Sequence, residues 1–197
     1  MIFTLKDIFL RGDDKVLQVI ETELKEVKIL EYACKEDNRG LKFSNYSEKE
    51  LLENGIDVHF IEEDVYCPIK SGTLYGIHFQ NNPVAQTKLL YCIEGRGIDY
   101  AIDLRKDSPQ YLKWISVELS KENRRQILIP KGFGHAFISL EDNTKVVMRI
   151  DEYFDNKYSR QIAWNDSQIA IQYPVKNPIL AQHDIDAPKL RDSDCNL

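Results

Sequence analysis

Between positions 58 and 151 the chain changes repeatedly from short segments rich in β-branched and aromatic residues to turn residues. Turn sequences such as Asn81-Asn82-Pro83 and Pro130-Lys131-Gly132 separate the segments, and there is little helical periodicity between them. The segments cover residues 58–66, 73–80, 89–93, 98–104, 114–119, 125–129, 135–140 and 145–151. Many short strands at regular intervals predict an all-β fold, either a β-sandwich or a barrel.

The regions on either side of these segments are expected to form an arm and a tail. Residues 27–33 favour a strand, and Ser47 with Glu50 forms a capping box before a short helix that Gly55 ends. The C-terminal region is polar and contains proline, which is typical of a tail that lies over a barrel. We predict one domain, with an arm at 1–57, a barrel core at about 58–152 and a tail with short helices at 153–197.

Composition and charge argue against several classes of function. The net charge is -6, which disfavours nucleic acid or an anionic membrane as a partner. No segment approaches the ~18 apolar residues that would span a bilayer, and the N-terminus lacks a signal-peptide pattern. The four cysteines are scattered and have no metal-ligand spacing, so we interpret them as reduced thiols. The sequence therefore predicts a cytoplasmic protein.

Two residues near the middle of the chain point to proton chemistry. His78 lies in a predicted strand on the same face as Gly76, which would leave open space beside the imidazole ring. Lys88 opens the next apolar strand. We expect the two side chains on neighbouring strands of one sheet, where an imidazole base would lie beside an ammonium group that stabilises negative charge.

The other histidines differ in their expected roles. His59 lies in an apolar run with Phe60 and is expected to be structural. His135 follows a Gly-rich turn and is expected to face a cavity. His183 precedes Asp184 in the tail and would otherwise pass as a surface residue. Because the chain has no His-x-His pair, the sequence predicts no metal site.

Arginines at predicted strand ends or turns form a second group of candidates. They are Arg39, Arg105, Arg124 and Arg125. The simplest interpretation of such residues is solvated surface. A nucleotide diphosphate would nevertheless require two or three guanidinium groups that converge at the mouth of a barrel.

Eight motifs in a fixed order carry a resemblance to a known family. They are Asp37-Asn-Arg39-Gly40, Gly76-Ile-His78-Phe-Gln80, Gln86-Thr-Lys88-Leu, Asp103-Leu-Arg105-Lys-Asp-Ser108-Pro109, Trp114-Ile-Ser-Val-Glu118-Leu-Ser, Glu122-Asn-Arg124-Arg125-Gln, Ile129-Pro-Lys-Gly132-Phe-Gly-His135-Ala-Phe137 and Asn177-Pro-Ile-Leu180-Ala-Gln-His-Asp184. Each motif is weak alone, but the order and spacing are specific. With them the chain resembles the dTDP-4-dehydrorhamnose 3,5-epimerase family of nucleotide-sugar epimerases.

The resemblance implies a fold and a set of residue roles. The fold would be a cupin-type jelly-roll β-barrel without metal or cofactor, usually a homodimer that exchanges N-terminal strands. His78 would remove a proton next to a C4 ketone, Asp184 would hold its imidazole, and Lys88 would stabilise the enolate oxygen. His135 would line the pocket and Arg39 would bind the diphosphate. Further substrate-binding positions are expected at Tyr75, Gln80, Glu63, Arg125, Tyr153 and Phe154.

Three departures from the family pattern bear on the reaction. Tyr75 stands where the family has arginine. Glu63, Val65 and Cys67 align with a Gln-x-Asn-x-Ser run, which would remove polar groups that face the sugar. Phe154 aligns with the tyrosine that serves the family as an acid, and phenylalanine cannot donate a proton. The adjacent Tyr153 is expected on the opposite face of a strand, from which a local bulge could redirect it.

These observations predict an isomerase. The leading hypothesis is an epimerase that inverts only C3 of a nucleotide-linked 4-keto sugar, a hexulose or a heptulose, in bacterial surface polysaccharide synthesis. Three alternatives stay open at this point: a full 3,5-epimerase, a barrel that binds sugar nucleotides without turnover, and a metal-dependent cupin oxygenase.

Overall fold

The computed structural model describes residues 16–197. The first fifteen residues of the predicted N-terminal arm therefore lie outside the described residues. Nearly all regular structure in this part is β, which confirms the predicted class. The strands are β1 Leu17–Glu21, β2 Lys28–Tyr32, β3 Cys34–Asp37, β4 Gly40–Phe43, β5 Glu62–Tyr66, β6 Leu74–Gln80, β7 Lys88–Glu94, β8 Arg96–Asp103, β9 Trp114–Ser120, β10 Gln126–Ile129, β11 Phe133–Ser139, β12 Lys145–Ile150 and β13 Ser159–Ile162. The helices are α1 Glu48–Glu53, α2 Gln182–Ile185 and a 3-10 turn at Leu190–Asp192.

The strands form two large antiparallel sheets and one small hairpin. The six-stranded sheet has the order β1-β2-β10-β7-β12-β5, and the five-stranded sheet has the order β13-β6-β11-β8-β9. The strands β3 and β4 pair only with each other. The two large sheets face each other as a jelly roll of the cupin type, the architecture that the resemblance implied.

The consecutive strands β6 and β7 lie in different sheets, which corrects the expected placement of His78 and Lys88. His78 on β6 pairs with His135 on β11, whereas Lys88 on β7 pairs with Ile129 on β10. The connection at residues 81–87 crosses from one sheet to the other. The two side chains therefore approach each other across the barrel interior and not along one sheet.

A β-bulge interrupts the expected alternation of side chains along β6. His135 pairs with His78, but Phe137 pairs with Tyr75, so β6 contains one more residue than β11 over this interval. Both Tyr75 and His78 consequently line the barrel interior, although strict alternation would put them on opposite faces. Ile77 turns to the outer side and packs there in the core.

The core has an inner part and two outer parts. The inner cluster lies between the sheets and includes Leu90, Phe137 and Met148. The outer face of the five-stranded sheet is covered by the C-terminal segment, and the outer face of the six-stranded sheet packs against α1 through Leu51. The sheets extend beyond residues 58–152, since β1 and β2 precede this range and β13 follows it.

The short helix α1 forms as its sequence predicts. The Ser47 hydroxyl accepts a hydrogen bond from the Glu50 amide, and Gly55 follows the helix with a φ of 77°. The reciprocal half of the capping box is replaced, because the Ser47 amide donates to the Tyr32 hydroxyl at 3.1 Å. The sequence predicts a strand that begins at residue 58, but residues 58–61 are not part of a strand. The strand β5 begins at Glu62.

Candidate active site

A cavity of about 700 Å³ opens between the two sheets. The β-bulge of β6 and the crossing of residues 81–87 bring polar side chains from both sheets to its walls. The lining residues that carry polar or ionisable groups are Glu62, Asp64, Tyr66, Tyr75, His78, Gln80, Gln86, Lys88, His135, Asn156, Ser159, Gln161 and His183. Among the described residues, this is the place where the candidates for proton chemistry converge.

His78 and Asp184 form a close pair at one wall of the cavity. His78 Nε2 lies 2.6 Å from Asp184 Oδ1, and the Asp184 side chain is only 3% exposed. Burial raises the pKa of Asp184, but the hydrogen bond from His78 and the charges of His78 and His183 outweigh burial and hold that pKa below its ordinary value. The carboxylate is therefore available to orient the imidazole and to stabilise its charged form.

Gly76 makes room for this carboxylate. A Cβ atom at Gly76 would lie 2.9 Å from Asp184 Oδ1 and 3.3 Å from its Cγ. The space that the sequence predicts beside His78 is thus filled by Asp184, which α2 brings in from the C-terminal segment. A residue with a side chain at this position would displace the hydrogen-bond partner of the imidazole.

Lys88 supplies a buried ammonium group from the opposite sheet. Its Nζ donates to the main-chain oxygen of His78 at 3.5 Å, so the two sheets meet at this point. Burial lowers the pKa of Lys88 to about 8, and the negative charge of Asp99 offsets part of the shift. A cation that is poorly solvated and close to an imidazole is suited to stabilise an oxyanion.

His135 is held by a second carboxylate. His135 Nε2 lies 2.9 Å from Asp99 Oδ2, and both side chains are buried. Burial lowers the pKa of His135 and raises the pKa of Asp99, and the hydrogen bond and charge interaction between the two groups partly oppose both shifts. In the described part of the chain, Asp99 Oδ1 has no hydrogen-bond partner. The pair fixes the His135 ring at the cavity wall beside Lys88.

Another histidine lies next to the His78–Asp184 pair. The His183 and His78 ring centroids are 5.7 Å apart, and His183 Nε2 is 3.7 Å from Asp184 Oδ2. The donor atoms of these three residues lie within 4.8 Å of one another, the one such group among residues 16–197. Two ligands of one tetrahedral zinc ion would be separated by ~3.4 Å. The 2.6 Å contact of His78 is instead that of a hydrogen bond.

The wall formed by β5 differs from expectation by one residue. Glu62, Asp64 and Tyr66 line the cavity, whereas Glu63 faces outward and pairs with Arg149. The alignment with the family's Gln-x-Asn-x-Ser run predicts residues 63, 65 and 67 at the sugar, which is the opposite face of the strand. This wall of the cavity consequently carries the carboxylates of Glu62 and Asp64 and the phenol of Tyr66. The alignment with the family instead predicts a loss of polar groups here.

Other expected substrate-binding residues fall into two groups. Tyr75 and Gln80 line the cavity, and the Tyr75 ring packs edge-on against Tyr66 at a centroid distance of 5.2 Å. Arg39 and Arg125 do not reach this cavity in their own chain. Arg39 pairs with Asp37 in the β3–β4 hairpin, and Arg125 Nε lies 2.8 Å from Glu31 Oε1.

Comparison with known proteins places this chain in a family. The family model described as dTDP-4-dehydrorhamnose 3,5-epimerase matches residues 21–192. The chain belongs to this family. Members of the dTDP-4-dehydrorhamnose 3,5-epimerase family are isomerases, and so is this protein. Within residues 16–197, the helices are too short or too polar to cross a membrane.

Several relatives in the epimerase family are similar over most of the chain. The dTDP-4-dehydrorhamnose 3,5-epimerase of Shigella flexneri is 38% identical over 179 residues, 90% of this chain and 98% of the relative. The crystal structure of the Bacillus anthracis enzyme with TDP and PPi bound has a TM-score of 0.86 and 40% identity, and covers 88% of this chain and 99% of that chain. A 3′-monoepimerase from Streptomyces bikiniensis, in complex with dTDP-quinovose, has a TM-score of 0.80 and 25% identity, with 87% of each chain covered.

The position that aligns with the acid tyrosine of the epimerase family is Phe154, which lies beside the cavity with 60% of the residue exposed. Phe154 lies at the cavity lining, in a loop and not in a strand, while Tyr153 is 66% exposed and does not line the cavity. Gln80 fixes the loop on both sides, since Nε2 donates to the Tyr153 carbonyl at 3.2 Å and Oε1 accepts from the Asp155 amide at 2.6 Å. The described structure provides no bulge that turns Tyr153 inward.

Sequence reasoning missed several lining residues. The face of β5 was assigned one residue out of register because the family's Gln-x-Asn-x-Ser run was aligned with Glu63, Val65 and Cys67. Asp99 could have been found, because it interrupts the apolar run of β8. His183 and Gln161 come to the cavity only through the docking of the C-terminal segment and of β13, for which the sequence contains no local signal.

Proposed function

We propose that this protein is an epimerase that inverts C3 of a nucleotide-linked 4-keto sugar. The observation that carries the proposal is the pairing of His78 with the buried Asp184 directly across the cavity from the buried ammonium of Lys88. An imidazole base and a fixed cation on opposite walls match the needs of proton removal next to a ketone.

The reaction would proceed through an enolate. With Nε2 engaged by Asp184, Nδ1 of His78 takes the proton from C3 and the C–H electron pair moves toward the C4 carbonyl. Lys88 stabilises the resulting oxyanion, which needs the protonated form of the amine. A proton then returns to C3 on the other face and inverts that centre.

The restriction to C3 rests on Phe154. This side chain offers no proton at the position that aligns with the family's acid tyrosine, and Gln80 restrains the loop around it. Water or another lining group would return the proton at C3. A structural neighbour named as a 3′-monoepimerase is a precedent for inversion at C3 alone on this fold, whereas the names of the relatives that share more sequence favour the full 3,5-epimerase as the second candidate.

The substrate class follows from the cavity and the family. The Bacillus anthracis relative binds TDP, which makes a dTDP-linked hexulose the first substrate to test, with GDP- or CDP-linked sugars and heptuloses next. Glu62 and Asp64 would accept hydrogen bonds from sugar hydroxyls. We place the reaction in the cytoplasm, in the supply of sugars for surface polysaccharides.

We further propose that the active form is a homodimer in which Arg39 binds the diphosphate in the site of a second copy. No arginine lines the cavity among residues 16–197, so the chain's own walls offer Lys88 and histidines as cations. The β3–β4 hairpin that carries Arg39 projects with Leu41 and Phe43 exposed, and the edge strand β5 exposes Val65. Apolar edges of this kind favour strand pairing between copies.

Proton NMR in heavy water tests the C3 proposal. We expect the protein to exchange the C3 proton of dTDP-4-keto-6-deoxyglucose and to leave the C5 proton in place. His78→Asn should reduce the exchange by ~10²-fold or more, as is usual for loss of a general base. Phe154→Tyr should gain exchange at C5 while C3 exchange continues.

The same spectra distinguish the alternatives. Exchange at both carbons in the unaltered protein would reject the C3 restriction and favour the 3,5-epimerase. Binding without exchange for dTDP-, GDP- and CDP-linked substrates would favour a non-catalytic barrel. Exchange that persists in His78→Asn would reject His78 as the base.

A further inference from the structure

The Asp184 carboxylate lies between two imidazoles. Oδ1 contacts His78 Nε2 at 2.6 Å, and Oδ2 lies 3.7 Å from His183 Nε2. The two rings are tilted by 35° with centroids 5.7 Å apart, and both line the same cavity. A nitrogen of His78 and a nitrogen of His183 lie within 4.8 Å of each other, a separation that one water molecule can bridge.

The three side chains differ in their access to solvent. The Asp184 side chain is 3% exposed, His78 is 29% exposed and His183 is 58% exposed. The main chain of His183 is held at the cavity by Gln161, whose Nε2 donates to its carbonyl at 3.2 Å. His183 therefore stands on the solvent side of the base.

An epimerase of the kind proposed above has to reset its base after each turnover. His78 gains a proton from one face of the sugar, and a different group gives a proton to the other face. The base must lose its proton before the next cycle. Asp184 is a poor acceptor for it, because His78 and His183 hold the pKa of this carboxyl below its ordinary value.

We propose that His183 is the proton shuttle that returns His78 to its basic form, an inference that rests on the proposed function of His78. The N–H bond of the His78 imidazolium breaks, a bridging water takes that proton and passes one of its own to His183, and His183 releases it to solvent. The water is regenerated and no electrons are transferred. Imidazole suits this role because it both accepts and releases protons near neutral pH.

The test compares His183→Gln with His59→Gln as a matched control. His59 is also an exposed histidine beside a carboxylate, with Nδ1 2.9 Å from Glu48 Oε1, but it does not line the cavity. In weakly buffered solution we expect His183→Gln to lower kcat about tenfold, less than the loss of a general base. KM and the rate of the first turnover should stay at wild-type values, and added imidazole buffer should restore kcat. His59→Gln should keep the wild-type kcat in weakly buffered solution, and added imidazole should not change it.

Two results would overturn the shuttle. One is a His183→Gln variant with wild-type kcat at low buffer concentration. The other is a lowered kcat that imidazole does not restore, or that already appears in the first turnover, which is the behaviour of a structural or binding role. Failure of the proposed function looks different, because the unaltered protein would then exchange no substrate proton in the first turnover.

Discussion

At the scale of single residues, the buried Lys88 has opposite effects on stability and function. Among the residues that the structure describes, its Nζ makes one long hydrogen bond, to the His78 carbonyl, and burial lowers its pKa to about 8. Between this value and the ordinary ~10.4 the unfolded chain binds more protons than the folded chain, so the contribution of Lys88 to folding becomes more favourable as the pH rises. The charged form is thus retained at a cost to stability.

The rate should depend on the protonation of Lys88. Because the ammonium stabilises the enolate, we expect kcat/KM to fall as the pH rises through about 8, the pKa of this group. Lys88→Met should lower kcat by ~10²–10³-fold, the usual effect of losing one oxyanion donor. Its urea midpoint at pH 7 should equal or exceed that of the wild type, since an apolar side chain replaces a buried charge.

Lys70→Met is the control for this pair of measurements. Lys70 is exposed and its Nζ lies 3.0 Å from Asp142 Oδ2, away from the cavity, so its loss should change neither quantity. A pH profile that is flat or rises between pH 7 and pH 9.5 would contradict the role of Lys88. So would a Lys88→Met variant that keeps its activity.

At the scale of secondary-structure elements, the site depends on how α2 docks against β6. The absence of a side chain at Gly76 lets α2 place Asp184 within hydrogen-bond distance of His78. The bulge in β6 turns Tyr75 and His78 to the same side. Neither feature is visible as a local pattern, because Asp184 follows His78 by 106 residues and the bulge depends on pairing with the distant strand β11.

Gly76→Ala should therefore reduce activity more than stability. The added Cβ would lie 2.9 Å from Asp184 Oδ1 and force the carboxylate away from the imidazole, so we expect kcat to fall by ~10²-fold, as for an impaired general base. Gly134→Ala is the matched control. Its Cβ would meet Ile77 and Leu104 at the same 2.9 Å, but on the apolar outer side.

The control should lose thermal stability by a few degrees while the remaining folded protein keeps its kcat. Steady-state kinetics and thermal denaturation of both variants check this difference. Equal losses of kcat in the two variants would show that steric crowding of the barrel, and not displacement of Asp184, explains the effect.

At the scale of the whole molecule, the proposed dimer distributes each active site over two copies. If Arg39 binds the diphosphate in the site of the second copy, a mixed dimer of Arg39→Ala and His78→Asn chains contains one intact site and one doubly altered site. Such dimers, co-expressed and purified through two different tags, should recover about half of the wild-type activity. The two homodimers should be nearly inactive.

An Arg39 that acts in its own chain gives a different result. Each site of the mixed dimer would then carry one defect, and mixing would restore nothing. A protein that sediments as a monomer under assay conditions and still turns over substrate would also reject the shared site.

Local chemistry in the sequence was sufficient for the fold class and for several residues of the site. Short apolar segments with turn residues between them predict an all-β architecture, and the order of the motifs identified the family. His78 and Lys88 were recognised because their residue types match the chemistry, whereas Asp184 was recognised only through the resemblance to the family. Phe154 was recognised as a departure because it aligns with the tyrosine that serves the family as an acid.

Only the tertiary structure decided which faces and sheets these residues share. It put His78 and Lys88 on opposite sheets, because connections in a jelly roll cross the barrel. It turned Glu62 and Asp64 inward in place of Glu63, since strand parity depends on the pairing partner and not on the strand itself. It also brought His183 from the tail to the cavity, because long-range docking depends on the packing of the whole chain.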